Sequence, residues 1–160
     1  MPTPKYPLKP LLEHRARQVD EATSELGRAI HAREVAEDAK LRAEATKEEV
    51  ASQHAKLRSE EGEALDRGEL TVADLARADA WAVAAAEEMS RLDQAVTTSS
   101  TRARDASAEE SERRSQLAKS MADRDVVAKD ETRFVERMKK KALLSEEEAA
   151  EEAYRGGSKR

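Results

Sequence analysis

"LDRGELTVADLARADAW", residues 65–81, is the stretch that decides the fold of this 160-residue chain. It contains Gly68, a residue type that readily adopts the left-handed conformation that ends a helix. Thr71 follows, and Asp74 comes three residues later, which is the spacing of a capping box that starts a helix. All four prolines lie within the first ten residues, so no proline interrupts the sequence on either side. The stretch therefore predicts a turn near residues 66–71 between two long helices.

The composition predicts a coiled coil rather than a compact core. Charged residues make up 39% of the chain and aromatic residues only 2%. Alanine, which buries little surface, is abundant, and large apolar side chains are too sparse for a globular interior. High charge with low hydrophobicity is also typical of disordered chains, so the choice depends on periodicity.

Apolar residues recur every seven positions, as in coiled coils. In the first predicted helix the stripe has no polar interruption: Ala22, Ala29, Ala36, Ala43, Val50, Leu57 and Ala64. Its companion position becomes cationic after two apolar residues: Val19, Leu26, Arg33, Lys40 and Lys47. The second helix carries one stripe of Leu75, Ala82, Met89, Val96 and Ala103, and a later one of Met121, Ala128, Val135, Ala142 and Ala149. The shift between these two stripes predicts a local irregularity in the second helix.

The fold class predicted from these patterns is all-α: a long antiparallel two-helix coiled-coil hairpin with an overhanging C-terminal helix end. Folding back at Gly68 places Leu12 opposite residue 126, so the helical residues from about 127 to 154 overhang. The chain is predicted to have three segments: a flexible proline-rich N-terminus (1–9), a single α-helical hairpin (10–155) and a flexible C-terminus (156–160).

No motif for catalysis or for metal or cofactor binding is found. The chain has no cysteine, and its three histidines are spaced too widely to share a zinc site. It has no phosphate-binding loop or nucleophile motif, and a two-helix hairpin offers no cavity for an active site. We therefore predict that the chain is not an enzyme and has no cofactor or metal.

Membrane insertion and nucleic-acid binding are also not predicted. No run of about 18 apolar residues is present. The basic run Lys139–Lys141 is followed at once by acidic residues and has no interleaved aromatic residues, unlike a nucleic-acid-binding patch. The absence of cysteine fits a cytoplasmic protein.

Charge and the single tryptophan mark the two ends of the predicted hairpin. The turn region, residues 59–74, is strongly acidic, whereas the paired ends of the helices are basic. Single charges of this kind are usually a solvated helix face, but opposite charge at the two ends suits different partners. Trp81 falls one residue off the stripe that includes Ala82. It either packs beside the seam or is an exposed anchor for a partner.

Three segments resemble the FliJ/YscO family of type III secretion stalk proteins. The first is "YPLKPLLEHRARQVDEATSEL", residues 6–26, with its aromatic residue, leucine pair and arginine ahead of a long helix. The second is "GELTVADLARADAW", residues 68–81, which is similar to the family's turn and tryptophan-containing segment. The third is "KDETRFVERMKKK", residues 129–141, which favours the YscO branch.

The resemblance implies a cytoplasmic stalk, peripheral to the inner-membrane export apparatus. Its partners would be a hexameric secretion ATPase and the cytoplasmic domain of the export gate, with export chaperones as further partners in some members. Carried over to this sequence, the export-gate contact falls on Leu75, Trp81 and Ala85. The contact with the ATPase falls on Leu12, Arg15, Phe134 and Arg137. The positive charge of the basic end adds Lys139, Lys140 and Lys141 to this predicted contact. The alternative function is a passive coiled-coil scaffold or a chaperone-binding holdase, which would leave ATPase rates unchanged.

Overall fold

A computed structural model describes residues 5–157 and contains two α-helices, α1 (Lys9–Asp66) and α2 (Val72–Gly157). The helices pack against each other, and no strand occurs among these residues. The predicted all-α hairpin is therefore confirmed. Helix α2 extends three residues beyond the predicted end at Tyr154, which is a common uncertainty at helix ends.

The turn ends α1 with a Schellman motif, in which a left-handed residue caps the helix. Gly68 has φ +68°, and among the described residues no other glycine has a positive φ. The Gly68 N–H donates to the Leu65 carbonyl at 2.9 Å, and the Glu69 N–H donates to the Ala64 carbonyl at 3.0 Å. These two bonds satisfy carbonyls that the end of a helix leaves without partners. The chain thus reverses where the sequence predicted.

A capping box begins α2. The Asp74 N–H donates to the Thr71 hydroxyl oxygen at 3.3 Å, and the Thr71 N–H donates to Asp74 Oδ2 at 2.9 Å. The Thr71 hydroxyl also donates to Asp74 Oδ2, at 2.6 Å. These bonds from the Thr71 side chain and backbone lower the pKa of Asp74. Aspartate therefore completes the box in place of the usual glutamate.

The hairpin divides into two compact units. The turn unit comprises residues 27–112, and the terminal unit comprises residues 1–26 together with 113–160. Each unit is a pair of helical segments, one from α1 and one from α2. Neither helix, within the described residues, holds an apolar run long enough to cross a membrane.

The predicted heptad pattern of α1 is confirmed as the face that packs on α2. The apolar stripe from Ala22 to Ala64 is buried or half-buried at every seventh residue except Leu57, which is 49% exposed. The companion position is also half-buried where it is cationic, at Arg33, Lys40 and Lys47. Much of this face, the seam, is therefore polar.

Ion pairs with α2 accommodate two of these cations, Arg33 and Lys47, in the turn unit. Arg33 Nε contacts Glu110 Oε2, and the Glu110 residue is only 7% exposed. Lys47 Nζ lies 2.6 Å from Asp93 Oδ1. Because the alanine stripe fits several registers almost equally well, these pairs contribute to how the helices align.

The seam of α2 departs from the prediction. It follows a single register from Met89 through every seventh residue to Met138, with no shift between residues 103 and 121. The first predicted stripe is correct at Met89, Val96 and Ala103, but Leu75 and Ala82 are exposed. In the second predicted stripe of α2, Ala128 is half-buried and the other members are exposed: Met121, Val135, Ala142 and Ala149. Polar residues such as Glu110 occupy the true seam, which is why apolar spacing alone selected the wrong positions.

The irregularity lies nearer the turn than predicted. Trp81 and Met89 are both half-buried but stand eight residues apart instead of seven, with buried Ala85 between them. A separation one residue longer than the heptad repeat locally changes the supercoil of the two helices. Trp81 therefore belongs to the seam, and the predicted stripe through Leu75 and Ala82, which passes one residue from Trp81, is not the packed one.

The paired part of the terminal unit is longer than predicted. Arg15 lies 3.6 Å from Asp123, which agrees with the predicted placement of Leu12 opposite residue 126. The pairing continues to Met138, because the segment before α1 lies against α2 through Tyr6. The overhang therefore begins near residue 139 rather than 127, and residues 139–155 are all exposed. Residues 1–4 and 158–160 of the predicted flexible ends lie outside the described residues.

Candidate functional site

Trp81 anchors the first candidate surface, which lies in the turn unit. Its ring is half-buried and meets the His54 ring nearly at right angles, with the centroids 5.2 Å apart. His54 Nε2 in turn lies 3.1 Å from Glu88 Oε2. This edge-to-face contact joins the two helices next to the turn. One side of the indole thus packs in the seam, as the first of the two interpretations of Trp81 proposed.

The other side of Trp81 lines an open groove of about 320 Å³ beside the turn. The accessible lining is almost entirely apolar. The groove is lined by four apolar residues and three charged ones: Leu57, Leu70, Ala78 and Trp81, with Glu61, Asp74 and Arg77. Leu57 is exposed here because it borders the groove rather than the seam. A groove of this kind can receive an apolar side chain from a partner.

The three residues predicted to bind an export gate differ in accessibility. Leu75 is 38% exposed and lies on the flank of α2, beside the packed face. Trp81 is accessible on its groove side. Ala85 is only 5% exposed and packs in the seam, so its methyl group is not available to a partner while the helices are paired. The structure thus offers two of the three predicted contacts.

Tyr6 organises the second candidate surface, in the terminal unit. It is 7% exposed, and its hydroxyl donates to Asp130 Oδ2 at 2.7 Å. Its ring lies 5.5 Å from the ring of Phe134, with the planes tilted by 56°. Burial, followed by the hydrogen bond to Asp130 and its negative charge, raises the pKa of Tyr6 to about 12. This contact fastens the segment before α1 onto α2.

This contact is not predicted from the sequence, because the proline-rich N-terminal segment is expected to be flexible. A usable signal was present, since Tyr6 is one of only two tyrosines in a chain with one phenylalanine. An aromatic residue placed just ahead of a helix in such a sequence is a candidate for packing. Its partner Phe134 lies at a half-buried seam position rather than on the surface.

The residues predicted to bind the ATPase all lie in the terminal unit, but their environments differ. Leu12 and Arg15 are half-buried. Arg15 already bonds within the hairpin, donating to Gln18 at 2.9 Å and pairing with Asp123. By contrast, Arg137 and Lys139–Lys141 are exposed, and none of them forms an ion pair with any residue from 5 to 157.

The part of the chain that the structure describes contains no cluster of His, Cys, Asp or Glu side chains that could hold a metal ion. The cavities are open grooves along the helix pair. What the two units present are an apolar groove in one and an exposed cationic run in the other. Comparison with known proteins finds no match: no protein-family model, no curated protein and no solved structure matches the chain.

Proposed function

We propose that the protein is a central stalk of a type III secretion system. In this role it links the hexameric secretion ATPase to the cytoplasmic domain of the export gate and modulates ATPase activity and export. The observation that carries the proposal is the pair of different surfaces on one hairpin, with the apolar groove in the turn unit and the cationic run in the terminal unit. It would act in the cytoplasm, peripheral to the membrane export apparatus.

The cationic run suits the ATPase contact. Arg137 and Lys139–Lys141 are exposed and make no ion pairs among the described residues, so their charge is available to an acidic partner. Such charge accelerates encounter, while apolar contact supplies most of the affinity. Val135, which is 41% exposed two residues before Arg137, offers apolar surface at this place. Arg15 contributes by holding the helices together through Asp123.

The groove beside the turn suits the export-gate contact. Leu75 and the groove side of Trp81 are the accessible apolar groups among the predicted contacts. Trp81 also packs against His54, so replacing it changes both the groove and the seam. Leu75 lies outside the seam and is therefore the cleaner position at which to test binding.

The test for the ATPase contact is ATP hydrolysis by the hexameric secretion ATPase of the same system, with and without the protein. The variant K139E/K140E is expected to lose stimulation, and the loss is expected to be greatest at low salt, where charge is least screened. The variant R102E/R104E is the matched control, because it makes the same charge change on exposed positions of α2 in the turn unit. Equal stimulation by both variants and the wild type would exclude this surface from the ATPase contact. No change in rate with any of the three proteins would favour the scaffold or holdase.

The export-gate contact is tested by titrating the cytoplasmic gate domain with Leu75→Ala. Loss of one exposed leucine contact is expected to weaken binding about tenfold without changing helicity. Ala82→Ser is a suitable control, since Ala82 is exposed on the same helix outside the groove lining. Unchanged affinity for Leu75→Ala would exclude Leu75 from the gate contact and leave the groove side of Trp81 as its accessible apolar group.

A further inference from the structure

The C-terminal extension, residues 139–155 of α2, is a helix with no part of α1 beside it. Leu143 is 59% exposed and Leu144 is 57% exposed. At about 100° per residue, both lie roughly 120–140° around the helix from Met138, the last half-buried seam position. These two leucines therefore form a face that does not continue the seam, and within residues 5–157 no side chain covers it.

The charges on either side of this leucine face have opposite signs. Lys139–Lys141 lie one turn before the leucines, and Glu146–Glu148 lie one turn after them. Residues three and four apart share a helix face, so Lys140, Lys141, Glu147 and Glu148 all flank Leu144. The face is cationic at one end, apolar in the middle and anionic at the other end.

Neither block of charge forms an ion pair among residues 5–157. Among the described residues, the ion pair found in the extension joins Arg155 to Glu151 at 3.7 Å, and none involves Lys139–Lys141 or Glu146–Glu148. The three residues between the lysines and Ser145 are Ala142, Leu143 and Leu144. The basic and acidic blocks are thus too far apart along the helix to pair with each other at the favourable spacing of three or four residues.

We propose that a second copy of this chain docks antiparallel on the extension, with the two-fold axis passing near Leu144. In that arrangement the leucines of the two copies meet at the centre. The basic block of each copy faces the acidic block of the other, with Lys140 opposite Glu148 and Lys141 opposite Glu147. A parallel arrangement would place like charges together, so the charge pattern selects the antiparallel one. The interface is self-complementary, as a two-fold dimer requires.

The interface is small. The extension is about 25 Å long at 1.5 Å per residue, so the paired helices bury less than a standard protein–protein interface. A reversible dimer with a dissociation constant on the order of tens of micromolar follows. Its exposed charges make it sensitive to salt. Because the dimer covers Lys139–Lys141, dimerisation and binding of an acidic partner at those lysines are mutually exclusive.

The proposal does not depend on the function proposed above, and its test uses no ATPase. The full chain is studied by sedimentation velocity from roughly 5 to 500 µM, a range that brackets the expected dissociation constant. The wild type is expected to pass from monomer to dimer as its concentration rises. The dissociation constant of the dimer is expected to increase at least about tenfold when salt is raised from roughly 50 to 500 mM. L143A/L144A, which keeps helix propensity, is expected to weaken dimerisation at least about tenfold.

Charge-swap variants identify the arrangement. K139E/K140E/K141E and E146K/E147K/E148K are each expected to be monomeric, because each places like charges in contact. An equal mixture of the two is expected to form a heterodimer, and the sixfold variant that carries both changes is expected to dimerise like the wild type. The heterodimer also shows that each triple variant remains folded and competent to bind.

Three results would overturn the proposal. One is a wild type that stays monomeric throughout the concentration range at low salt. Another is dimerisation that neither triple variant reduces, since the contact would then lie elsewhere in the molecule. The third is a mixture or sixfold variant that stays monomeric although circular dichroism shows wild-type helicity.

Discussion

Replacing Gly68 by alanine tests whether the turn depends on a left-handed residue. Gly68 has φ +68°, a conformation that costs an L-residue roughly 1–2 kcal/mol. A Cβ built at this position meets no heavy atom within 4 Å, so steric overlap adds nothing to this backbone cost. The free energy of unfolding is therefore expected to fall by about 1–2 kcal/mol in Gly68→Ala.

Gly62→Ala is a matched control, six residues earlier and inside α1. A Cβ there also meets nothing within 4 Å, but the backbone is ordinary helix. Alanine is favoured over glycine in a helix interior by about 0.5–1 kcal/mol, so this variant is expected to gain stability. The same chemical change thus has opposite effects at the two positions, because only one backbone is left-handed.

Thermal unfolding followed by far-UV circular dichroism measures both variants. For a chain of this size, 1 kcal/mol shifts Tm by about 2–4 °C. Gly68→Ala should melt about 2–8 °C lower than the wild type and Gly62→Ala about 1–4 °C higher. Gly68→Asn should lie between Gly68→Ala and the wild type, because asparagine tolerates this conformation better than alanine. A rise in Tm for Gly68→Ala would refute the Schellman turn.

Three further predictions concern contacts between or within the helices. Glu110→Ala should lower the free energy of unfolding by about 1–3 kcal/mol in urea titrations, because the buried Nε of Arg33 loses its acceptor. The double variant in which Arg33 and Glu110 are both leucine should be at least as stable as the wild type. Thr71→Ala should cost about 1 kcal/mol by removing the N-cap of α2, and Thr71→Ser should cost less. The pKa of Tyr6 is raised from 10.0 to about 12, so its contact contributes fully below pH 10 and is lost as the pH rises through 12. Phenolate absorbance in a Tyr154→Phe background, where Tyr6 is the remaining tyrosine, should therefore titrate near pH 12, whereas a midpoint near 10 would contradict the buried contact.

The turn was predictable from sequence because its determinants are local. Gly68 and the Thr71–Asp74 pair act within a few residues of themselves, and no distant contact is needed to fix them. The seam of α1 was predictable for a related reason, since its alanine stripe has no polar interruption from Ala22 to Ala64. Only Leu57 departs, because it borders the groove instead.

The seam of α2 could not be derived from apolar spacing alone. Alanine is frequent in this helix, so several seven-residue stripes fit equally well and none carries much burial energy. The register is instead set by contacts with α1, such as the Arg33–Glu110 pair and the packing of Trp81 on His54. These are pairings between residues far apart in sequence, which a single helix pattern does not contain.

The candidate sites were predictable only where they depend on local sequence rather than on contacts between the two helices. The cationic run of Lys139–Lys141 can be identified from the sequence alone, and in the structure it is exposed, as expected for a solvated run of charge. The burial of Ala85 and the Tyr6–Asp130 bond depend on which residues of the facing helix lie opposite. The groove beside Trp81 also depends on both helices, since Leu57 belongs to α1 and Leu70 to the turn.

The cationic seam of α1 has a consequence for synthesis on the ribosome. Helix α1 is translated before α2, and on polysomes several copies of it are close together before their own second helices exist. A seam of alanine alone would let such copies pair with one another. In a parallel, in-register pair of such copies, Arg33, Lys40 and Lys47 would each face the same cation, whereas α2 supplies Asp93 and Glu110 to meet two of them. This pairing of nascent helices is therefore disfavoured relative to pairing with α2.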